Sequence, residues 1–287
     1  MQLRHHLILL AVAAIMLPLR AYGNEKLPDS IIRPVTSSYT IGAGSSHLAD
    51  TYLSPLKYTG WHTDFHYERM QAMKFNPEKW VMQMRFGIQA DRAENPARNT
   101  SIWYWGLDFS WSMMHRWQLP YNITVAGGGQ AMLYAGTLYN KRNSNNPCSA
   151  KASLSLGITG YAAWNFTLRK LPVTLRYQPS LPVIGAFFSP EYGELYYEIY
   201  MGNRNGLAHC AWWGNHLRFD QMLTADLHFG STSLRVGYSG SILSTKVNHL
   251  VTHIYTHAAV IGISSEWISL NPRKRMSPHA RIISALY

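Results

Sequence analysis

Between Ala150 and Leu168 the chain alternates without a break. Leu154, Leu156, Ile158, Ala162, Trp164 and Phe166 fall on one face of an extended strand, and Lys151, Ser153, Ser155, Thr159, Tyr161 and Asn165 on the other. A period of two specifies a strand with one apolar and one polar face. Strands in water-soluble domains run about 5–6 residues. A tilted strand crossing a membrane needs about 9–11 in hydrocarbon and often continues beyond it. A two-faced strand of this length points to a transmembrane β-barrel.

The pattern recurs. Trp80, Met82, Met84, Phe86, Ile88 and Ala90 alternate with Val81, Gln83, Arg85, Gly87, Gln89 and Asp91. Trp103, Trp105, Leu107, Phe109, Trp111 and Met113 alternate with Ile102, Tyr104, Gly106, Asp108, Ser110 and Ser112. Three tryptophans on one strand face fit lipid, with the outer ones at headgroup level. Further strands are expected near 39–46, 57–73, 121–138, 172–187, 217–229, 232–245 and 250–268. The fold class read from this is all-β: one antiparallel transmembrane barrel of about ten strands, with eight to twelve as bounds.

Hydrophobic residues make up 47% and aromatic residues 13% of the chain, yet no apolar run after the N-terminal segment is long enough for a membrane helix. Alternation conceals apolar content in this way. At the N-terminus, Arg4 precedes the apolar stretch Leu7–Leu19, and Ala21-Tyr22-Gly23 supplies small residues for a signal peptidase. Residues 1–23 therefore read as a signal peptide cleaved after Gly23. Residues 24–36 follow as a periplasmic lead-in, 37–270 as the barrel and 271–287 as a basic tail carrying Arg273, Lys274 and Arg275.

The connections differ in length. Those at 74–78, 118–120, 169–172 and 230–232 are tight and contain Pro or Gly, as periplasmic turns do. Those at 91–99, 140–149, 189–216 and 245–251 are longer and polar, as extracellular loops are. A further loop through His47, Asp50 and Tyr52 joins the first two strands. This places the protein in the outer membrane of a Gram-negative bacterium. The formal net charge of +11 would suit nucleic acid, but export excludes that partner. Cys148 and Cys210 lie in loop-like stretches of an oxidising compartment, where a disulfide between them is one option. Their separation excludes a CxxC zinc site.

Several stretches resemble one family. They are Asp50-Thr-Tyr-Leu-Ser-Pro-Leu-Lys-Tyr-Thr-Gly60, Arg142-Asn-Ser-Asn-Asn-Pro147, Arg176-Tyr-Gln-Pro-Ser-Leu-Pro182, Ser189-Pro-Glu-Tyr-Gly193 with Tyr196-Tyr-Glu-Ile199, and Arg235-Val-Gly-Tyr238 leading to Lys246. The chain is similar to the domain-of-unknown-function family 3316, small outer-membrane barrels of Bacteroides-type bacteria. The resemblance implies the barrel and the outer membrane, and carries no assigned chemistry. The partners to expect are outer-membrane lipid and the barrel assembly machinery. No cofactor is expected, and no extracellular ligand or protein partner is specified.

Candidate chemistry sits at four places. His62, Asp64, His66 and Glu68 share one strand face and could approach a metal ion or act as acid and base. They equally suit a polar lumen network with Arg85, Asp108 and Arg176, because a small barrel must fill its interior. Ser46, His47 and Asp50, with Ser45 beside them, hold the residue types of a hydrolase triad near the outer rim. A lipid hydrolase is therefore the alternative to a structural, binding or narrow-conduit barrel. His249, His253 and His257 point one way but stand about 13 Å apart for neighbours, too far for one metal. The segment 189–216 carries Glu191, Tyr192, Tyr196, Tyr197, Glu198, Trp212, Trp213 and Asn215, a set suited to a binding surface or a plug. Gly127-Gly128-Gly129 lacks the Lys-Ser/Thr of a phosphate loop and fits a close backbone approach inside a strand.

Overall fold

The computed structural model describes residues 31–144, 146–203, 205–268 and 281–286. Ten long strands follow one another: β1 (Val35–Asp50), β2 (Ser54–Ala72), β3 (Trp80–Glu94), β4 (Ser101–Leu119), β5 (Ile123–Asn140), β6 (Cys148–Leu168), β7 (Leu171–Phe188), β8 (His216–Phe229), β9 (Thr232–Val247) and β10 (Leu250–Trp267). Every strand pairs antiparallel with its neighbours, and β10 pairs with β1 from Thr252↔Asp50 to Trp267↔Val35. The sheet is thereby closed and leaves no long edge. A short strand, Ala208–Trp212, extends the sheet beside the end of β7, and one helical turn, α1 (Tyr196–Tyr200), precedes it.

The strands run 14 to 21 residues, well beyond the 9–11 or so that hydrocarbon requires. The extra length explains the main difference from the sequence reading. The first strand continues past Ser46 to Asp50, and its connection to β2 is only Thr51-Tyr52-Leu53. The polar stretch 245–251 is strand and a two-residue turn, not a long loop. Asn248 and His249 both take positive φ, 51° and 59°, as a type I′ hairpin turn requires. Arg169 likewise turns at positive φ, 59°. It is exposed in the β6–β7 connection rather than facing the lumen.

Alternation sorts the side chains. Ile41, Phe65, Ile88, Leu107, Leu133, Leu156, Leu175, Leu223, Val236 and Ile261, one from each strand in order, are all exposed on the outer wall. Such an apolar belt is expected only of a wall that faces lipid. Aromatics border it. Trp103 stacks on Trp105 at 5.8 Å with Trp61 edge-on at 6.0 Å, near the end that carries the long loops. Trp80 packs against His115 at 5.1 Å, and Trp164 against Phe166 at 4.5 Å, near the end that carries the turns. Gly128 lies inside β5, where a Cβ would stand 2.0 Å from the Met113 carbonyl oxygen. Only glycine permits that approach.

The N-terminal segment through Gly23 and the basic residues Arg273, Lys274 and Arg275 lie outside the described residues. Arg281–Ile282 pairs in parallel with Ile31–Ile32. Ala285 and Leu286 are buried among Met70, Val81, Met114, Ala126 and Tyr161 at the turn end of the lumen.

Candidate functional site

The lumen is filled in three layers. At the loop end, Leu48, Leu53, Tyr58, Ile102, Leu138, Leu243 and Ile254 form an apolar cluster with Tyr104 and Tyr134. The two tyrosine hydroxyls hydrogen-bond at 2.8 Å, and the Arg218 guanidinium lies 4.8 Å from the Tyr134 ring centroid. At the turn end the C-terminal residues fill one side of the bore, beside a vestibule of about 750 Å³ lined by Thr124, Asn165, Thr174, His228, Ser233 and Glu266. The Arg116 guanidinium donates to the carbonyls of Ser284 (2.6 Å) and Ala285 (3.2 Å), and the Tyr161 hydroxyl donates to Ala285 (3.1 Å).

Between them lies a charged layer, placed by inward strand positions. Glu68 sits between Arg176 (2.9 Å) and Arg235 (3.2 Å). Arg235 also makes a bidentate pair with Asp226, at 2.6 and 2.7 Å. At the loop end itself, beside Leu48 and Leu53, Lys151 meets Asp50 at 2.9 Å, and Asp50 accepts from Ser149 at 2.8 Å. Arg218 pairs with Asp220 at 2.8 Å and lies 3.7 Å from Asp108. His62 is held between Asp91 (2.6 Å) and Asp64 (3.1 Å), with His66 3.5 Å from Asp64. Arg85, half-buried, borders a void of about 30 Å³ with Asp64, His66, Asp108 and Arg218. That volume suits a single water, and Asp64 Oδ1, His66 Nδ1 and Arg218 Nη1 have no protein partner. Buried charges persist only when paired, so the layer is a structural network. Among the described residues no group of three His, Cys, Asp or Glu is placed to hold a metal ion.

The candidate triad is not assembled. Ser46 points inward, fully buried, and donates to the Trp61 carbonyl at 3.2 Å. Asp50 points inward to Lys151. His47 points outward and is exposed. Odd and even positions of one strand face opposite sides, so adjacent Ser46 and His47 cannot share a site. The cysteines do not pair: Cys148 and Cys210 are both free and exposed. Cys210 pairs in register with Ala186, whereas Cys148 lies four positions beyond Ala152, the partner of Phe188. The offset along the strands is about 20 Å, far outside disulfide reach.

The long loop folds over the barrel mouth and is anchored there. The Tyr52 hydroxyl donates to the Glu194 carbonyl at 2.7 Å, and the Tyr196 hydroxyl accepts from the Ala150 amide at 2.6 Å. Burial is the main cause that raises the Tyr52 hydroxyl well above its usual range, and it pushes Tyr196 up to about 12. Glu198 accepts from the Leu195 amide at the start of α1. Asn215 closes the turn after Trp212. Trp213 donates to the Pro182 carbonyl at 2.7 Å, and the Glu191 amide donates to the Glu194 carboxylate at 2.9 Å. Tyr192, Tyr197 and Tyr200 are left as the exposed face, 70%, 67% and 81% accessible.

Sequence reasoning passed over Asp91, Asp226, Arg218 and Arg235, whose pairings cross strands distant in sequence. It also passed over the outward residues Lys57, Lys246, His253 and His257 as a group. Their alternation gave the only signal, and it gives facing, not proximity.

The model of the family described as protein of unknown function (DUF3316) matches residues 7–274. No curated protein sequence matches the chain. Among solved structures, the translocator domain of the autotransporter NalP from Neisseria meningitidis is 10% identical, with 92% of this chain and 96% of that chain covered and a TM-score of 0.37. The outer membrane protease OmpT from Escherichia coli is 7% identical, with 87% and 100% covered and a TM-score of 0.42. The COG4313 outer membrane channel from Pseudomonas putida F1 is 8% identical, with 86% and 100% covered and a TM-score of 0.35. Likeness at this level bears on no activity.

Proposed function

We propose that this chain, which belongs to the DUF3316 family of proteins of unknown function, is a sealed outer-membrane barrel that acts as a structural or binding element of the cell envelope. The observation that carries the reading is the filling of the lumen across its middle and its loop end. An apolar cluster and a paired charge layer leave there only a small void beside Asp64, and the chain's own C-terminal residues occupy one side of the turn end, beside a vestibule of about 750 Å³ among the described residues. A barrel of this size has little room beyond side chains, and this one uses it for ion pairs. The belt of exposed apolar residues supports the membrane. The strand number, even and antiparallel, supports a bacterial outer membrane. The turn end is periplasmic and the loop end extracellular, with residues 1–23 removed after Gly23 during export.

The exposed product of this fold is the loop between β7 and β8. Its anchoring by Tyr52, Tyr196 and Trp213 makes it a platform that presents Tyr192, Tyr197 and Tyr200. Rigid aromatic surfaces on a fixed scaffold are suited to binding. The hydrolase alternative loses its basis with the separation of Ser46 and His47.

Density fractionation of cell envelopes, followed by protease treatment of intact cells, tests this. The barrel should fractionate with outer membrane and be cut within 189–215 from outside. Recovery in the inner membrane, or cleavage there only after the periplasm is opened, would overturn it.

A further inference from the structure

One part of the outer wall does not match lipid. At outward positions near the loop end, β9 presents Lys246, β10 presents His253 and His257, β1 presents His47, and β2 presents Lys57. The corresponding outward positions of β4 to β8 carry no ionisable basic group: Trp103 and Trp105, Thr137, Ala150 and Ala152, Ala186, Leu217 and Phe219 stand there. β3, beside β2, adds the outward Arg92, paired with Glu94 at 3.4 Å, so the basic groups lie on one side, from β9 through β3.

They are also near one another. His47 lies opposite Tyr255 and Thr59. His253 and His257 are its diagonal neighbours on β10, and Lys57 is its diagonal neighbour on β2. Diagonal positions stand about 7–8 Å apart, within converging reach of long side chains. Both imidazoles of β10 are held by the same device. The Tyr238 hydroxyl bonds His257 Nδ1, and the Tyr255 hydroxyl bonds His253 Nδ1 at 3.0 Å. Either partner can donate in these bonds; with the tyrosine hydroxyl as donor to Nδ1, the neutral ring carries its proton on Nε2. Among the described residues no carboxylate lies within ion-pair distance of Lys57 or Lys246. In the lumen, by contrast, Lys151 has Asp50.

From this we propose that the outer wall across β9, β10, β1 and β2 binds the phosphate groups of an outer-leaflet glycolipid. The inference rests on the outer-membrane reading, which puts that end of the wall in the outer leaflet. The site supplies lysine ammonium groups at the rim and imidazole N–H donors just below, a donor set matched to phosphate oxygens. Small outward residues beneath them, Ala43 and Ala259, leave the wall low for acyl chains. A second copy of this chain is a poor occupant, because two-fold pairing would set like charges against each other.

The test uses the full-length barrel purified in detergent, with native mass spectrometry to count retained lipid. Its outcome does not depend on where the protein fractionates in cells. The probes are bisphosphorylated lipid A, the same lipid with both phosphates removed, and phosphatidylglycerol. The wild type should retain the bisphosphorylated lipid. Combined His47→Gln, Lys57→Gln and His257→Gln should weaken retention by about tenfold or more, while Arg98→Gln with Lys141→Gln in the loops should not. All these positions are at the surface, and heat-modifiable migration reports that the variants are folded. Should the triple variant fail to fold, the contrast between phosphorylated and phosphate-free lipid on the wild type makes the same test. Equal retention by the triple variant, equal retention of the phosphate-free lipid, or equal retention of phosphatidylglycerol would each overturn the proposal.

Discussion

Lys151 and Lys57 illustrate the two sides of this wall. Lys151 points into the lumen, where Asp50 and Thr252 meet its ammonium at 2.9 Å each. Lys57 points out of the same cylinder, and no carboxylate of the described residues reaches it. The lumen excludes bulk solvent, so each charge there requires a partner within the chain. The outer wall is bathed by another molecule, and a charge near its rim can find its partner in the membrane. Charge pairing therefore distinguishes a surface that completes itself from one that waits for a ligand.

The largest effect should come from breaking a pair inside. Arg235→Ala removes the bidentate pair with Asp226 and one of the two guanidinium partners of Glu68, and should destabilise the folded barrel by about 3–5 kcal/mol, read from denaturant unfolding in detergent. Lys57→Ala on the outer wall should change stability by about 0–1 kcal/mol. Similar losses at both sites would erase the distinction drawn here.

Arg116→Ala is expected to rank next. It removes charge-assisted hydrogen bonds to Ser284 and Ala285, each worth about 1.5–3 kcal/mol, and should release the C-terminal segment to carboxypeptidase. A segment that stays protected would show that the Tyr161 bond, the pairing with Ile31–Ile32 and the burial of Ala285 and Leu286 hold it without Arg116.

A smaller effect concerns the loop. Tyr196 is neutral in its anchored state, with its pKa pushed up to about 12 from 10.0. A folded pKa above the unfolded one gives stabilisation present in full below pH 10 and lost as pH rises through about 12. Protease sensitivity of the 189–215 loop should rise across that window, and Tyr196→Phe should flatten the rise. The least perturbing probe is a membrane-impermeant maleimide on intact cells. It should label Cys148 and Cys210 without prior reduction, and labelling that needs a reductant would restore the disulfide.

Alternation made most of the fold legible, and it already held more than was taken from it. Ser46 and His47 are adjacent, so strand geometry alone separates them. His253 and His257 share a face as their spacing of four indicates, while His249 falls in the turn. Strand ends were less legible, because above the membrane a strand keeps its pairing while its residues turn polar. The run 245–251 reads as loop for that reason, and only the left-handed pair Asn248-His249 turns it into a hairpin. Lumen pairings such as Glu68 with Arg176 and Arg235 depend on closure of the cylinder, which brings together strands distant in sequence. No local pattern encodes the return of residues 283–286 into the bore, since it depends on where Arg116 and Tyr161 stand after closure.

The sealed lumen is the claim on which the rest depends, and single-channel recording in a planar lipid bilayer tests it most directly. The purified barrel, shown to be inserted by its heat-modifiable form, should give no steady conductance above the bare bilayer at moderate voltage. A large, stable, ion-selective current from the wild type would contradict the account and make the charged layer around Glu68, Arg176 and Arg218 the lining of a pore.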